Sequence, residues 1–349
     1  MARPGSRWSR IRSWARQHRP ALALLLLAPS IPELLTGSTP VSELIVNPIG
    51  FLVGFALDVV LYGSGALLIR EFSVFFRKGW ASVLLLGGAY GIAEEGFEVH
   101  TFFQTSGSPV GALGSYGHLF GVNWMWSLSL TVFHATYSIA LPILLVRLWF
   151  PDVKDQRWLS RRTVTLLSVA YASEVVGFGA FVVGHGPSPA ALAFFVGVVA
   201  VLIVLALWAP RDLLWPRDGP RRLGSRTLGG LGAVEFLVYF AVLLAASTRA
   251  VPAVVMAVLV VVANGLVVLV LLRFVGRDDL ERAEFSFAVG MLSILFAWDV
   301  LIEFIAVPGI LAVSALFVYL LVRLDRTLKA RATPVAVPWG ASLLPPAGP

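Results

Sequence analysis

The stretch Leu84–Gln104, LLLGGAYGIAEEGFEVHTFFQ, decides how the whole chain is read. It is long and apolar enough to cross a membrane, yet it carries Glu94, Glu95, Glu98 and His100. A charged side chain at the bilayer centre costs about 2.5–3.5 kcal/mol on insertion scales. Three carboxylates within five residues are therefore expected to face a protein interior and to have a use there.

Composition agrees with a membrane setting. Of 349 residues, 58% are hydrophobic and 13% charged, where soluble domains carry about 25% charged residues. Mean hydropathy is +0.83. There is no cysteine, which excludes disulfides, thiolate ligands and cysteine nucleophiles.

Outward from the opening stretch, apolar segments near the roughly 20 residues needed to span recur at 20–37, 48–69, 80–103, 122–146, 163–184, 188–209, 228–248, 251–272, 284–306 and 308–323. The expected fold class is all-α: a polytopic, multi-pass helix bundle of about ten spans in the cell membrane. Three regions follow: a basic arm over 1–19, a transmembrane domain over 20–329, and a disordered Pro/Ala-rich tail over 330–349. The first span reads as a retained helix and not as a cleaved signal peptide, because Pro29 interrupts it and no A-x-A site follows.

Charge placement orients these spans. Of the 27 Lys and Arg, 26 fall in the N-terminal arm and in Arg70–Lys78, Arg147–Arg162, Arg211–Arg226, Arg273–Arg282 and Arg323–Arg331; Arg249 is the exception. With ten spans these are the arm, every second connection and the tail, so the positive-inside rule places both termini in the cytoplasm. The net charge of +7 and pI near 10.1 are thus a topology signal. The lipid bilayer is the expected partner, and nucleic acid is not. The long connection Thr105–Gly121 holds five glycines, His118 and no formal charge. It reads as a flexible loop or, more sharply, as a flap or re-entrant segment over a cavity.

At 1.5 Å per residue, Asp58, Glu94, Glu95, His134, Glu174 and Asp299 all fall near the middle of their spans. Asn123, Ser127, Thr131, His134, Ser138 and Pro142 share one helix face, expected to look inward. Gly54, Asp58, Tyr62 and Gly65 form another such face, and Gly87, Gly91 and Glu95 form a small-residue stripe that permits close helix approach. Glu33, Glu98, His100 and Glu303 sit nearer the outer interface and read as structural. Ala89-Tyr90 with Gly96-Phe97 recurs as Ala170-Tyr171 with Gly177-Phe178, a faint parallel repeat.

Glutamate and histidine ligate zinc and similar divalent ions, and a carboxylate beside metal-bound water can act as general base. Glu94, Glu95 and His134 are the candidates for both roles. No HExxH, GxSxG or Walker motif is present.

Glu94-Glu95, followed about forty positions later by His134, resembles the CAAX-protease and bacteriocin-processing family (Abi/CPBP) of intramembrane enzymes. The resemblance covers about a quarter of the chain. It implies a water-activating site within the membrane, built from Glu94, Glu95 and His134. The chain departs from the family pattern at Val99, where an arginine would stand, at Leu130, where an aromatic would stand, and at His185 with Pro189, where the family has His-x-x-x-Asn.

The expected function is an intramembrane metal-dependent hydrolase. The competing readings are a proton- or cation-coupled transporter, drawing on Asp58, Glu174 and Asp299 as well, and a non-catalytic membrane protein. The sequence names no substrate.

Overall fold

The computed structural model describes residues 7–183, 186–214, 219 and 223–332. The start of the basic arm, His185, part of the 211–226 connection and the expected tail from Thr333 lie outside the described residues, while the tail's first three residues, 330–332, continue the last helix. Among the described residues, ten long helices run in order. They are α1 (Arg7–Pro29, extended by a π-helical turn, Ser30–Leu34), α2 (Pro48–Phe75), α3 (Trp80–Ile92, extended by π-helical Ala93–Glu98), α4 (Trp124–Trp149), α5 (Arg161–Phe181), α6 (Pro189–Trp208), α7 (Ser225–Thr248), α8 (Ala253–Phe274), α9 (Leu280–Ile302) and α10 (Ile310–Ala332). Seven of them, α2 and α4 to α9, are long and apolar enough to cross a membrane. The other three carry charges within the rod: arginines in the first part of α1, three glutamates near the end of α3, and Arg323 to Arg331 in the second half of α10.

Local sequence sets the helix starts. Asn47, Asn123, Ser160 and Ser188 each accept a backbone N–H three residues on, opening α2, α4, α5 and α6. These are N-caps, and Pro48 and Pro189 follow at the position where a missing N–H costs nothing. The α10 start is held differently. Glu303, just past α9, accepts from Gly309 N at 2.9 Å and Leu311 N at 3.0 Å. Those backbone donors hold its carboxyl below the usual carboxylate range.

The hub is α4. It buries 72% of its apolar window, while α5 buries 6% and α8 11%. Tyr137, Leu141 and Leu145 of α4 pack with Phe236 of α7, Leu292 and Leu295 of α9, and Leu321 of α10. Peripheral helices turn Leu166, Val169, Val258 and Leu269 outward, an apolar perimeter suited to lipid. The stripe of α3 meets α4 as its spacing predicts. A Cβ on Gly87 would stand 2.8 Å from Ala135 Cα, and one on Gly91 would stand 2.8 Å from His134 Cβ.

The connections segregate by charge. At one end, Arg70 donates to the Lys154 carbonyl at 2.9 Å, Lys78 to the Ala209 carbonyl at 3.1 Å, and Arg331 to the Leu148 carbonyl at 2.9 Å, while Arg282 pairs with Asp325 at 2.6 Å. At the other end, Tyr116 donates to the Val251 carbonyl at 2.7 Å, and Gly37 lies against Val307 and Ile310. The Thr105–Gly121 connection is there a packed cap. A 3₁₀ turn, Gly111–Ser115, leads to a hairpin pairing His118 with Asn123. Val110, Leu113 and Tyr116 are buried beside Met256 and Val260 of α8. Glycine density suggests a flexible loop, but these apolar anchors override it.

Cysteines replacing Gly88 and Thr131 should crosslink with short reagents, since a Cβ on Gly88 lies 3.4 Å from Thr131 Cγ2. The lipid-facing pair Val169 and Val258 should not. The background contains no native thiol, and gel shift of a full-length chain reads the result.

Candidate functional site

Four helices change winding at the same place. The π-helical segments Ser30–Leu34, Val59–Gly63, Ala93–Glu98 and His134–Ala140 lie in α1, α2, α3 and α4. They contribute Glu33, Tyr62, Glu94 with Glu95, and His134 with Ser138. π-turns are rare and concentrate at functional sites. Their wider turn rotates less per residue than an α-helix, so consecutive side chains diverge less. That lets adjacent Glu94 and Glu95 address one ring.

Glu94 Oε2 lies 3.2 Å from His134 Nδ1, and Glu95 Oε1 lies 3.1 Å from Nε2. Ser138 Oγ is 3.0 Å from Nδ1. All three titratable residues are buried, and one ligand atom from each falls within 4.8 Å of the others. The rings of Tyr62 and Tyr90 stand 6.1 and 6.0 Å from the imidazole. Tyr90 also stacks on Tyr171 at 5.9 Å, so the two tyrosines of the faint repeat meet.

A string of polar contacts runs outward from this centre. Tyr62 donates to Glu33 Oε1 at 2.6 Å and also contacts Glu94. Thr39 donates to Glu33 Oε2 at 2.9 Å and lies 3.5 Å from Asp58 Oδ2. On the other flank Thr101 bonds Glu95 and accepts from the Trp126 indole at 2.8 Å. One phenolic hydrogen serves only one carboxyl at a time. A second proton must therefore reside on the Glu33–Tyr62–Glu94 string for both contacts to be hydrogen bonds.

The expected residues divide into three groups. Glu94, Glu95 and His134 come together. Asp58 joins at the end of the string, and Glu174 lies on α5, which packs against the π-helical end of α3. Asp299 is elsewhere: fully buried between α9 and α10, it bonds Ser314. Equal depth along a helix says nothing about its direction around the bundle. Glu303 caps α10, and His100 sits in the left-handed region (φ 58°) that ends α3. Glu33 was expected to be structural, yet it bonds Tyr62. Thr101 and Trp126 were not singled out. The signal for Glu33 and Tyr62 is partial: an acid directly after Pro32 at the end of α1, and a tyrosine on the Asp58 face.

The donor set suits a divalent ion. Two carboxylates and an imidazole are ligands for zinc, manganese or iron, and three protein ligands leave a position for water. Glu94 Oε2 is buried with no hydrogen-bond partner among the described residues. It approaches Nδ1 at 3.2 Å without making a hydrogen bond, and a cation there would satisfy it.

Thr101→Val keeps the shape but removes the hydroxyl between Glu95 and Trp126. Leaving two buried polar groups without it should lower stability by about 1–3 kcal/mol. Ser38→Ala, at an exposed hydroxyl, should stay within about 0.5 kcal/mol. Thermal or denaturant unfolding in detergent checks both.

No curated protein and no solved structure matches this chain. One family model does, over residues 22–330, and no match to the CAAX-protease family accompanies it. The chain therefore belongs to the uncharacterized membrane protein family that this model describes.

Proposed function

We propose that the protein is an intramembrane metal-dependent hydrolase centred on Glu94, Glu95 and His134. The observation that carries this reading is the convergence of three buried ligand side chains, one of them with an orphaned oxygen, on a π-wound centre. A zinc-like ion bound there would polarise a carbonyl and bring a water near neutral pKa. Glu95 and His134 hold the donor geometry, and Ser138 and Thr101 orient them. Glu94 would accept the proton of the attacking water and pass it to the leaving group as the bond between the carbonyl carbon and that group breaks. Tyr62 and Glu33 extend a path for protons toward the outer end.

A second reading, proton-coupled transport, draws on that same string, which needs no metal. The two part on metal content. Purified wild type should hold about one equivalent of a divalent ion, lost in Glu94→Gln and His134→Gln. Tyr62→Phe, one contact further out, should weaken the metal about 10–100-fold. Metal-free wild type that carries protons across vesicles, with transport abolished by Glu94→Gln, would replace the hydrolase by the carrier.

The same proposal includes ten spans over 20–329 in the cell membrane, with the basic arm and tail cytoplasmic. Its support is the gathering of basic connections at one end of the bundle. Reporter fusions after Lys78, Arg162 and Arg226 should read cytoplasmic, and fusions within 107–117 external. An external signal after Arg226 would overturn the ten-span arrangement.

A further inference from the structure

Two large cavities adjoin: one opens at the basic end, and the other rises from it along α3 and α4 to Gly88, Thr131 and Ala135, beside the Glu–His centre but lined by none of its residues. One, of about 670 Å³, lies among α3, α4, α7, α8 and α9, with walls such as Leu84, Leu85, Val268 and Leu271. The other, of about 840 Å³, is lined by nine Lys and Arg against four acids. Trp80, Leu280 and Glu284 line both, so the cavities share a neck. Both volumes lie within the roughly 300–1,000 Å³ of ligand pockets.

The two linings ask for different chemistry. The apolar cavity follows α3 from Trp80 to Gly88, about 12 Å of helix rise, and its walls are mainly aliphatic. A peptide there would leave its backbone groups unpaired, whereas a hydrocarbon chain would not. One wall is α8, which buries little of itself in the bundle, so the bilayer borders the cavity. In the polar cavity several cations are weakly engaged. Arg147 stands 3.8 Å from Asp155 and 5.6 Å over the Trp80 ring, and Arg211 stands 4.0 Å from the same aspartate. Arg77 is exposed, with no side-chain partner among the described residues.

We infer that this pair of cavities binds one anionic phospholipid, with its phosphate among Arg77, Arg147 and Arg211 and an acyl chain past Trp80 into the apolar cavity. Basic pockets between membrane helices on the cytoplasmic side are suited to such headgroups. The inference does not rest on the hydrolase reading, because no residue of the Glu–His centre lines either cavity.

The test uses the purified full chain and phosphatidylglycerol with brominated acyl chains, which quench nearby tryptophan. Quenching should saturate, and a fraction of it should vanish in Trp80→Phe. Brominated phosphatidylcholine should need about tenfold more lipid for the same effect, and so should phosphatidylglycerol with the Arg77→Gln, Arg147→Gln double variant. The matching double lysine variant should bind as wild type, which separates lost charge from lost fold. Equal titration by the two lipids, or quenching that never saturates, would overturn the inference. So would displacement of the lipid by millimolar inorganic phosphate, which would assign the basic cavity to a free anion.

Discussion

Two adjacent carboxylates buried against one imidazole are the constraint on which this bundle is organised. Isolated, such a group in hydrocarbon is expensive, and a partly satisfied polar network is worse than none. The fold answers by rewinding four helices at one level, so that each points a polar group at the same small volume. Close approach of α3 and α4 is a condition of that geometry. A side chain at Gly87 would meet the α4 backbone at Ala135, and one at Gly91 would meet His134 itself. α4 consequently carries both the centre and much of the core, with His134 on one face and Tyr137 and Leu141 on another.

The ends of the bundle obey a different logic. The ionisable groups of the interior are nearly all acids and histidine, whereas the connections carry nearly all the cations. Many of those cations cap backbone carbonyls of neighbouring connections, as Arg70, Lys78 and Arg331 do. They act as mortar between loops as well as orienting charge. The residue that breaks the pattern, Arg249, is also put to structural use: its guanidinium reaches Ser115 Oγ at 2.5 Å and lies over Tyr116.

Hydropathy and charge made most of the fold legible in the sequence. Each expected apolar segment corresponds to one long helix, with ends shifted by caps such as Asn123 and by the continuation of α1 and α10 into charged sequence. The meeting of α3 with α4 followed from the glycine stripe. Direction around the bundle was legible where a stripe of spaced residues marked it, as on α3 and α4, and not for single residues at π-wound turns, because a change from α to π winding leaves no mark in composition. That is why Asp299 shared the right depth and the wrong side, while Glu33 and Tyr62 were underrated. The cap was misjudged for a related reason. Its glycines outnumber Val110, Leu113 and Tyr116, but burial of those three decides its order.

That cap also sets a timetable. It lies in the first third of the chain, yet it is fastened to Val251 and Arg249, well over a hundred residues later. During synthesis α3 and α4 can associate as soon as both have entered the bilayer. The cap over them cannot be fastened until α7 and the turn after it, with Arg249 and Val251, have been made. The polar centre therefore forms early under an unfastened roof. The last fastening to arrive is the carbonyl of Val251.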